Sequence, residues 1–210
     1  MRVLVLAPLL LWLAGCAPSF ERNVPEERIY RLSAAAFGAD VALPLDLLVL
    51  RPVAAPGLRT DRIATLWPGN RLDYLAGARW SGELGAVVQA ATVESIARAG
   101  VLRGVEGEPG RFGATHVLGL ELRRFEADYV AGAPPVARVT IAATVGPQAS
   151  RRALGTFTAS AEVAAAANTV SGVTAALDQA FGQALGELLQ RSHAALAADL
   201  ARQPADAVTR

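Results

Sequence analysis

The side chains that could do chemistry are few. The chain has one cysteine, Cys16, and two histidines, His116 and His193. Neither histidine has an acidic or nucleophilic partner at a recognisable spacing, so no Ser-His-Asp arrangement is legible. Neither belongs to an H-E-x-x-H or Cys/His set, so no metal site is expected. His116 opens a strand on the same face as Leu118 and reads as a hydrogen-bonded histidine at the edge of the core. His193 is assigned to the polar, solvated side of a long C-terminal helix. "GVEGEPG" (104–110) lacks the G-K-[ST] ending of a phosphate loop and precedes a strand where a helix is needed. Arg123–Arg124 and Arg151–Arg152 are pairs at strand ends rather than a patch. The carboxylates are scattered, with no two that divide acid and base roles. No enzyme and no cofactor is expected.

Cys16 lies in "LLLWLAGCAPS". Arg2 supplies a short positive start, and Val3 to Leu13 form an apolar run of signal-peptide length, too short to span a bilayer. Ala14 and Gly15 are small, and "LAGC" resembles a bacterial lipobox. The alternative is an ordinary signal peptide with a cysteine at its border. The lipobox reading makes Cys16 the site of a covalent lipid, after removal of residues 1–15. One acyl chain holds a protein to a membrane only marginally, and two or three make the anchor stable. The membrane is then the first expected partner.

The formal charge is +1 and all 20 basic residues are Arg. Loss of Arg2 with residues 1–15 leaves the mature chain neutral, which gives nucleic acid no electrostatic reason to bind. The division expected is a signal at 1–15, a lipid-anchored tether at 16–27, a single domain at 28–200 and a polar tail at 201–210. About 195 mature residues suit one domain with a sizeable core.

The domain reads as strands, a helix, more strands and a final helix. Strands are expected at 28–33, 43–53 and 60–67. Pro52 and Pro56–Gly57 close the second. A turn at 68–70 follows, then "RLDYLAG" as a strand with a loop or as two short elements. Residues 81–100 read as a helix with Ser81 as N-cap and Gly100 as stop. Its stripe is Leu84, Val88, Ala91 and Ser95, with Val93 and Ile96 off it. Residues 104–113 read as loop. The stretches 114–129, 136–146 and 152–164 alternate apolar and polar residues, as in an antiparallel meander. Residues 169–200 form the last helix, with a stripe of Val173, Leu177, Ala180, Phe181, Ala184 and Leu188; Gly182 and Gly186 allow close packing. The expected fold is therefore α+β, a two-layer domain of about six to seven mostly antiparallel strands with two main helices, 81–100 and 169–200, on one face.

One stretch concentrates aromatic side chains. Trp67, Tyr74 and Trp80 fall within 14 residues, with Arg71 and Arg79 among them. They either cap one end of the core or form a contact surface, since Trp, Tyr and Arg dominate interface hot spots. These five residues are the candidate partner-binding site.

Around this stretch the chain resembles the ABC-type transport auxiliary lipoproteins, the PqiC/YmbA-like group. The residues that carry the likeness are "YRLSA" (30–34) soon after the lipobox, an apolar strand ending in "RPV" (47–53), "LDY" (72–74) and "ARW" (78–80) leading into a helix. The resemblance implies a non-enzymatic docking subunit of an MCE-type ABC system that moves lipids or other hydrophobic molecules across the cell envelope. It also implies an MCE-domain protein as partner and a homo-oligomer. Ala17 after the lipidated Cys, in place of Asp, favours the outer membrane, with the domain facing the periplasm. Another envelope assembly or scaffold lipoprotein is the first rival reading, and a lipid-anchored hydrolase the second.

Overall fold

A computed structural model describes residues 27–202 apart from 40, 109, 111, 112 and 151. The signal at 1–15, Cys16, nearly all of the tether and the tail from 203 lie outside the described residues. Nine strands and two helices follow in the order β1 (Arg28–Tyr30), β2 (Leu43–Val49), β3 (Val53–Ala54), β4 (Arg62–Trp67), β5 (Arg71–Trp80), α1 (Leu84–Ala99), β6 (Leu102–Glu106), β7 (His116–Asp128), β8 (Val136–Pro147), β9 (Gly155–Ala164) and α2 (Val170–Leu200).

The sheet is organised around β7. Along one edge it pairs antiparallel with β8 from His116↔Pro147 to Asp128↔Val136. Its other edge is filled by three short parallel strands in succession. These are β2 at Leu47↔His116, β3 at Val53↔Glu121 and β4 at Ala64↔Glu126. The three are one extended run broken twice. Pro52 has no N–H to give the ladder, and a single 3₁₀ turn at Pro56–Leu58 interrupts the run again. The sheet then extends from β2 to β6, from β4 to β5 and β1, and from β8 to β9.

This α+β architecture corrects part of the expected sheet. Five of the eight strand pairings are parallel, although the longest two are antiparallel. Parallel neighbours need a crossover, and the passage through α1 supplies one between β2 and β6. The strand count is nine because the 43–67 run is divided and because β6 occupies the start of the stretch read as a loop. The 114–164 meander is present as β7–β8–β9.

Both helices cover the same face. Leu47 of β2 and Leu118 of β7 meet Ile96 of α1 and Leu189 and Leu196 of α2 around a cavity of about 20 Å³. Residues 31–38 lie across the seam between the helices. Ser33 N–H donates to Asp178 Oδ1 of α2, and Ala35 N–H donates to Ser95 Oγ of α1. Gly186 allows this strap to approach: a Cβ there would sit 2.9 Å from the Ala36 carbonyl oxygen. Gly182 meets nothing at that range.

The helix limits follow from local hydrogen bonding. Thr169 caps α2 by accepting from Gly172 N–H at 3.1 Å. Gly100 ends α1 with φ 64°, a left-handed conformation that suits glycine. Ser81 does not cap α1. Its N–H donates to Tyr30 O, so the sheet continues past Trp80 and the helix starts only at Leu84. Ile96, expected off the apolar stripe, is buried beside Ser95 because the strap and α2 widen the covered face of α1.

An aromatic chain ties the layers together. Trp80 of β5 meets Phe125 of β7 edge-to-face at 5.7 Å, and Phe125 meets Phe181 of α2 at 6.0 Å. Phe125→Ala removes the middle member and leaves a cavity that rigid neighbours cannot refill. The expected loss is about 3–5 kcal/mol, read as a lower midpoint in urea unfolding.

Candidate interaction surface

The β4–β5 hairpin builds the aromatic end of the domain. Gly69 and Asn70 both take positive φ in its turn, at 77° and 60°. This turn sets Trp67 opposite Arg71 across the two strands. The Arg71 guanidinium lies 5.4 Å from the Trp67 ring centroid. Beneath, the Trp67 indole stacks on Tyr129 with centroids 4.5 Å apart and planes 3° from parallel. The indole N–H donates to Thr65 Oγ1 at 3.1 Å, and Tyr129 O–H donates to Asn168 Oδ1 at 2.9 Å. Burial pushes the Tyr129 hydroxyl above its ordinary pKa, so it stays a neutral donor.

Arg62 and Tyr74 make a second pair. The Arg62 guanidinium stands 4.1 Å from the Tyr74 ring centroid, and Tyr74 O–H donates to the Gly57 carbonyl at 3.1 Å. Arg79 is shared between Asp61 and Glu27, each at 3.3 Å. Arg62 and Arg71 make no ion pair among the described residues. Each cation is held by an aromatic face and keeps its N–H edges free for a partner.

The five candidate residues are therefore divided. Trp67, Arg71 and Tyr74 gather on the hairpin, with Arg79 ion-paired near its base. Trp80 is 2% exposed and faces Phe125 in the core, away from any surface. Tyr129 and Arg62 belong to the cluster but were not singled out in the sequence. The Trp67–Tyr129 contact spans 62 positions and leaves no local signal. Leu72 and Val130 add exposed aliphatic surface, at 43% and 54%.

The histidines lie elsewhere, near the C-terminal end of α2. His193 is 8% exposed, not on a solvated face, because α2 is covered by the Phe37 strap on that side as well as by the sheet. His116 is 6% exposed, and its Nδ1 lies 2.9 Å from Thr115 Oγ1. Among the described residues, Ser192 Oγ and the Nε2 atoms of both histidines have no hydrogen-bond partner. No group of three or more metal-ligating side chains occurs among the described residues.

Burial lowers the His116 pKa, and the nearby Asp199 charge opposes that shift without reversing it. The folded domain therefore binds this proton less tightly than the unfolded chain does. Stability from this residue is full above its ordinary value of about 6.5 and falls as the pH drops below it. Urea unfolding measured from pH 7.5 down to 5 is expected to show this decline, and His116→Gln to flatten it.

The fold and surface can be set beside known proteins. The family model for the ABC-type transport auxiliary lipoprotein component matches residues 30–189. Among solved structures, protein XCC0632 from Xanthomonas campestris superposes with a TM-score of 0.76 at 22% identity, covering 83% of this chain and 99% of that one. An uncharacterized protein superposes with a TM-score of 0.59 at 13% identity, covering 79% and 97%. At these identities the likeness is one of fold. No curated protein matches the chain.

Proposed function

The chain belongs to the family of ABC-type transport auxiliary lipoproteins, and from that premise we propose that it is the non-catalytic docking subunit of an MCE-type ABC transport system. In this reading a lipid on Cys16 anchors the protein to the outer membrane, and the domain faces the periplasm. The cargo is a lipid or another hydrophobic molecule. The subunit works by holding its partner, through a surface built from the β4–β5 hairpin.

The hairpin is the observation that carries the docking role. Trp67 and Tyr74 are each fixed by a ring contact and a hydrogen bond, so little side-chain entropy remains to be lost on binding. Arg71 and Arg62 offer charge without a counter-ion among the described residues. Rigid aromatics flanked by available guanidinium groups are the usual anchors of protein interfaces. The anchor reading has separate support in the lipobox-like LAGC that precedes the domain.

Purification of the native lipoprotein from membranes, followed by mass spectrometry, tests this directly. The expected result is acylation at Cys16 and recovery of an MCE-domain protein with its permease and ATPase. An acylated protein recovered alone would return the function to an envelope scaffold, and an unacylated Cys16 would remove the anchor. Trp67→Ala is expected to weaken recovery of the MCE protein at least tenfold, about 1.4 kcal/mol, while the far-UV circular dichroism stays native.

A further inference from the structure

The arginines of this chain divide sharply by place. Arg28, Arg31, Arg59, Arg62 and Arg71 make no ion pair among the described residues, and every other described arginine makes one. The five lie on β1, on β4–β5 or on the turn that precedes β4. The carboxylates on this side are already engaged. Glu27 and Asp61 share Arg79, and Asp73 accepts the Tyr74 N–H at 2.8 Å. The surplus charge therefore has no answer nearby, and on the hairpin it is held in place. Arg62 lies against the Tyr74 ring and Arg71 against the Trp67 ring.

The two ring–guanidinium pairs sit on opposite faces of the hairpin. Ala64 pairs with Tyr74 and Trp67 with Arg71, three residues apart on both strands, and strand side chains alternate between faces. A bilayer surface meets one face of a hairpin that lies on it, whereas a polypeptide segment can pass round the edge and meet both. The Trp67 N–H and the Tyr74 O–H are bonded inside the domain, to Thr65 and Gly57, not turned outward to headgroups as in an interfacial aromatic belt. With the Tyr74 N–H taken by Asp73, recognition falls to side chains and not to an added strand.

We infer that the hairpin recognises an acidic polypeptide segment, with one carboxylate on each face, bound by Arg71 and by Arg62. The inference rests on the docking role of the hairpin proposed above and adds the chemistry of what is docked. A guanidinium whose ring face is occupied still presents its N–H edge, which matches the two oxygens of a carboxylate. Leu72, 43% exposed between the two pairs, offers the segment an aliphatic contact.

Poly-L-glutamate is the probe, titrated into the full-length lipoprotein in detergent and followed by tryptophan fluorescence. Saturable binding is expected in about 0.1 M salt. It weakens severalfold by about 1 M, as the screening length falls from about 10 Å to about 3 Å. Arg62→Glu and Arg71→Glu are each expected to weaken binding about fivefold. Arg123→Glu, in an exposed ion pair elsewhere on the sheet, makes the same change in net charge and is expected to leave binding as it was. Circular dichroism checks folding, and Arg62→Gln and Arg71→Gln carry the test if a reversal unfolds the domain. Absence of binding, folded hairpin variants that bind like wild type, or an equal loss in Arg123→Glu would each overturn the inference. So would quenching by brominated phosphatidylglycerol in nanodiscs that Trp67→Phe abolishes, because the hairpin would then lie on the bilayer. The probe needs no transporter, so the two readings fail separately. Recovery of the MCE protein through Trp67 without polyglutamate binding would leave the docking role and remove the acidic segment. Polyglutamate binding through Arg62 and Arg71 in a protein recovered alone would do the reverse.

Discussion

Every backbone hydrogen-bonding group in a buried strand needs a partner, and β7 shows how widely separated parts of the chain meet that need. Its long antiparallel edge is filled by β8. Its parallel edge is filled in pieces by β2, β3 and β4. Leu118, Leu122 and Phe125 of the same strand are at most 1% exposed and pack under the helices. Register on this strand thus sets both the hydrogen-bond ladder and the apolar face on which α1 and α2 rest. A one-residue slip would turn that apolar set toward solvent.

The far end of β7 carries a polar network. Arg124 bonds Glu126 at 2.7 Å, and Arg138 of β8 bridges Asp128 and Glu162 of β9. Glu126 and Asp128 are nearly buried, so removal of one partner would leave a charge poorly solvated. Glu126 also accepts the Phe125 N–H, and Asp128 accepts the Val130 N–H. These bonds fix the chain where it leaves β7, beside the Tyr129 ring that supports Trp67. The rigidity of the proposed docking surface therefore derives partly from charges on the sheet below it.

The edges of the sheet behave differently from its centre. β1 and β6 are short, as strands guarded against unwanted pairing often are. Around β6 the charges are matched in pairs, Asp46 with Arg103 and Glu94 with Arg98, whereas Arg62 and Arg71 beside β5 make no ion pair among the described residues, although the mature chain as a whole is neutral. The absence of net charge made the sequence look electrostatically featureless. Folding places the charges: residues 27–31 come beside 56–80 through β1–β5 pairing, while Asp46 comes beside Arg103 through β2–β6 pairing and forms an ion pair with it. The Asp46 carboxyl is held below its ordinary pKa by its hydrogen bonds to Arg103.

Local periodicity by itself determined the α+β class, the β7–β8–β9 meander, the extent of α2, the Gly100 stop and the concentration of aromatics at 67–80. Each depends on residues close in the chain, where side-chain alternation, capping and helix spacing act directly. The family resemblance was also legible, because its short patterns lie in that same order. Only the tertiary structure decided the parallel pairings, the inward turn of Trp80, the burial of His193 and the support of Trp67 by Tyr129. These depend on which distant strand fills a hydrogen-bonding edge and which segment covers a helix. Alternation shows that a residue has an inside and an outside. It does not show what lies across the sheet, so Trp80 and Trp67, both in aromatic-rich surroundings, received one reading from sequence and two different environments from folding.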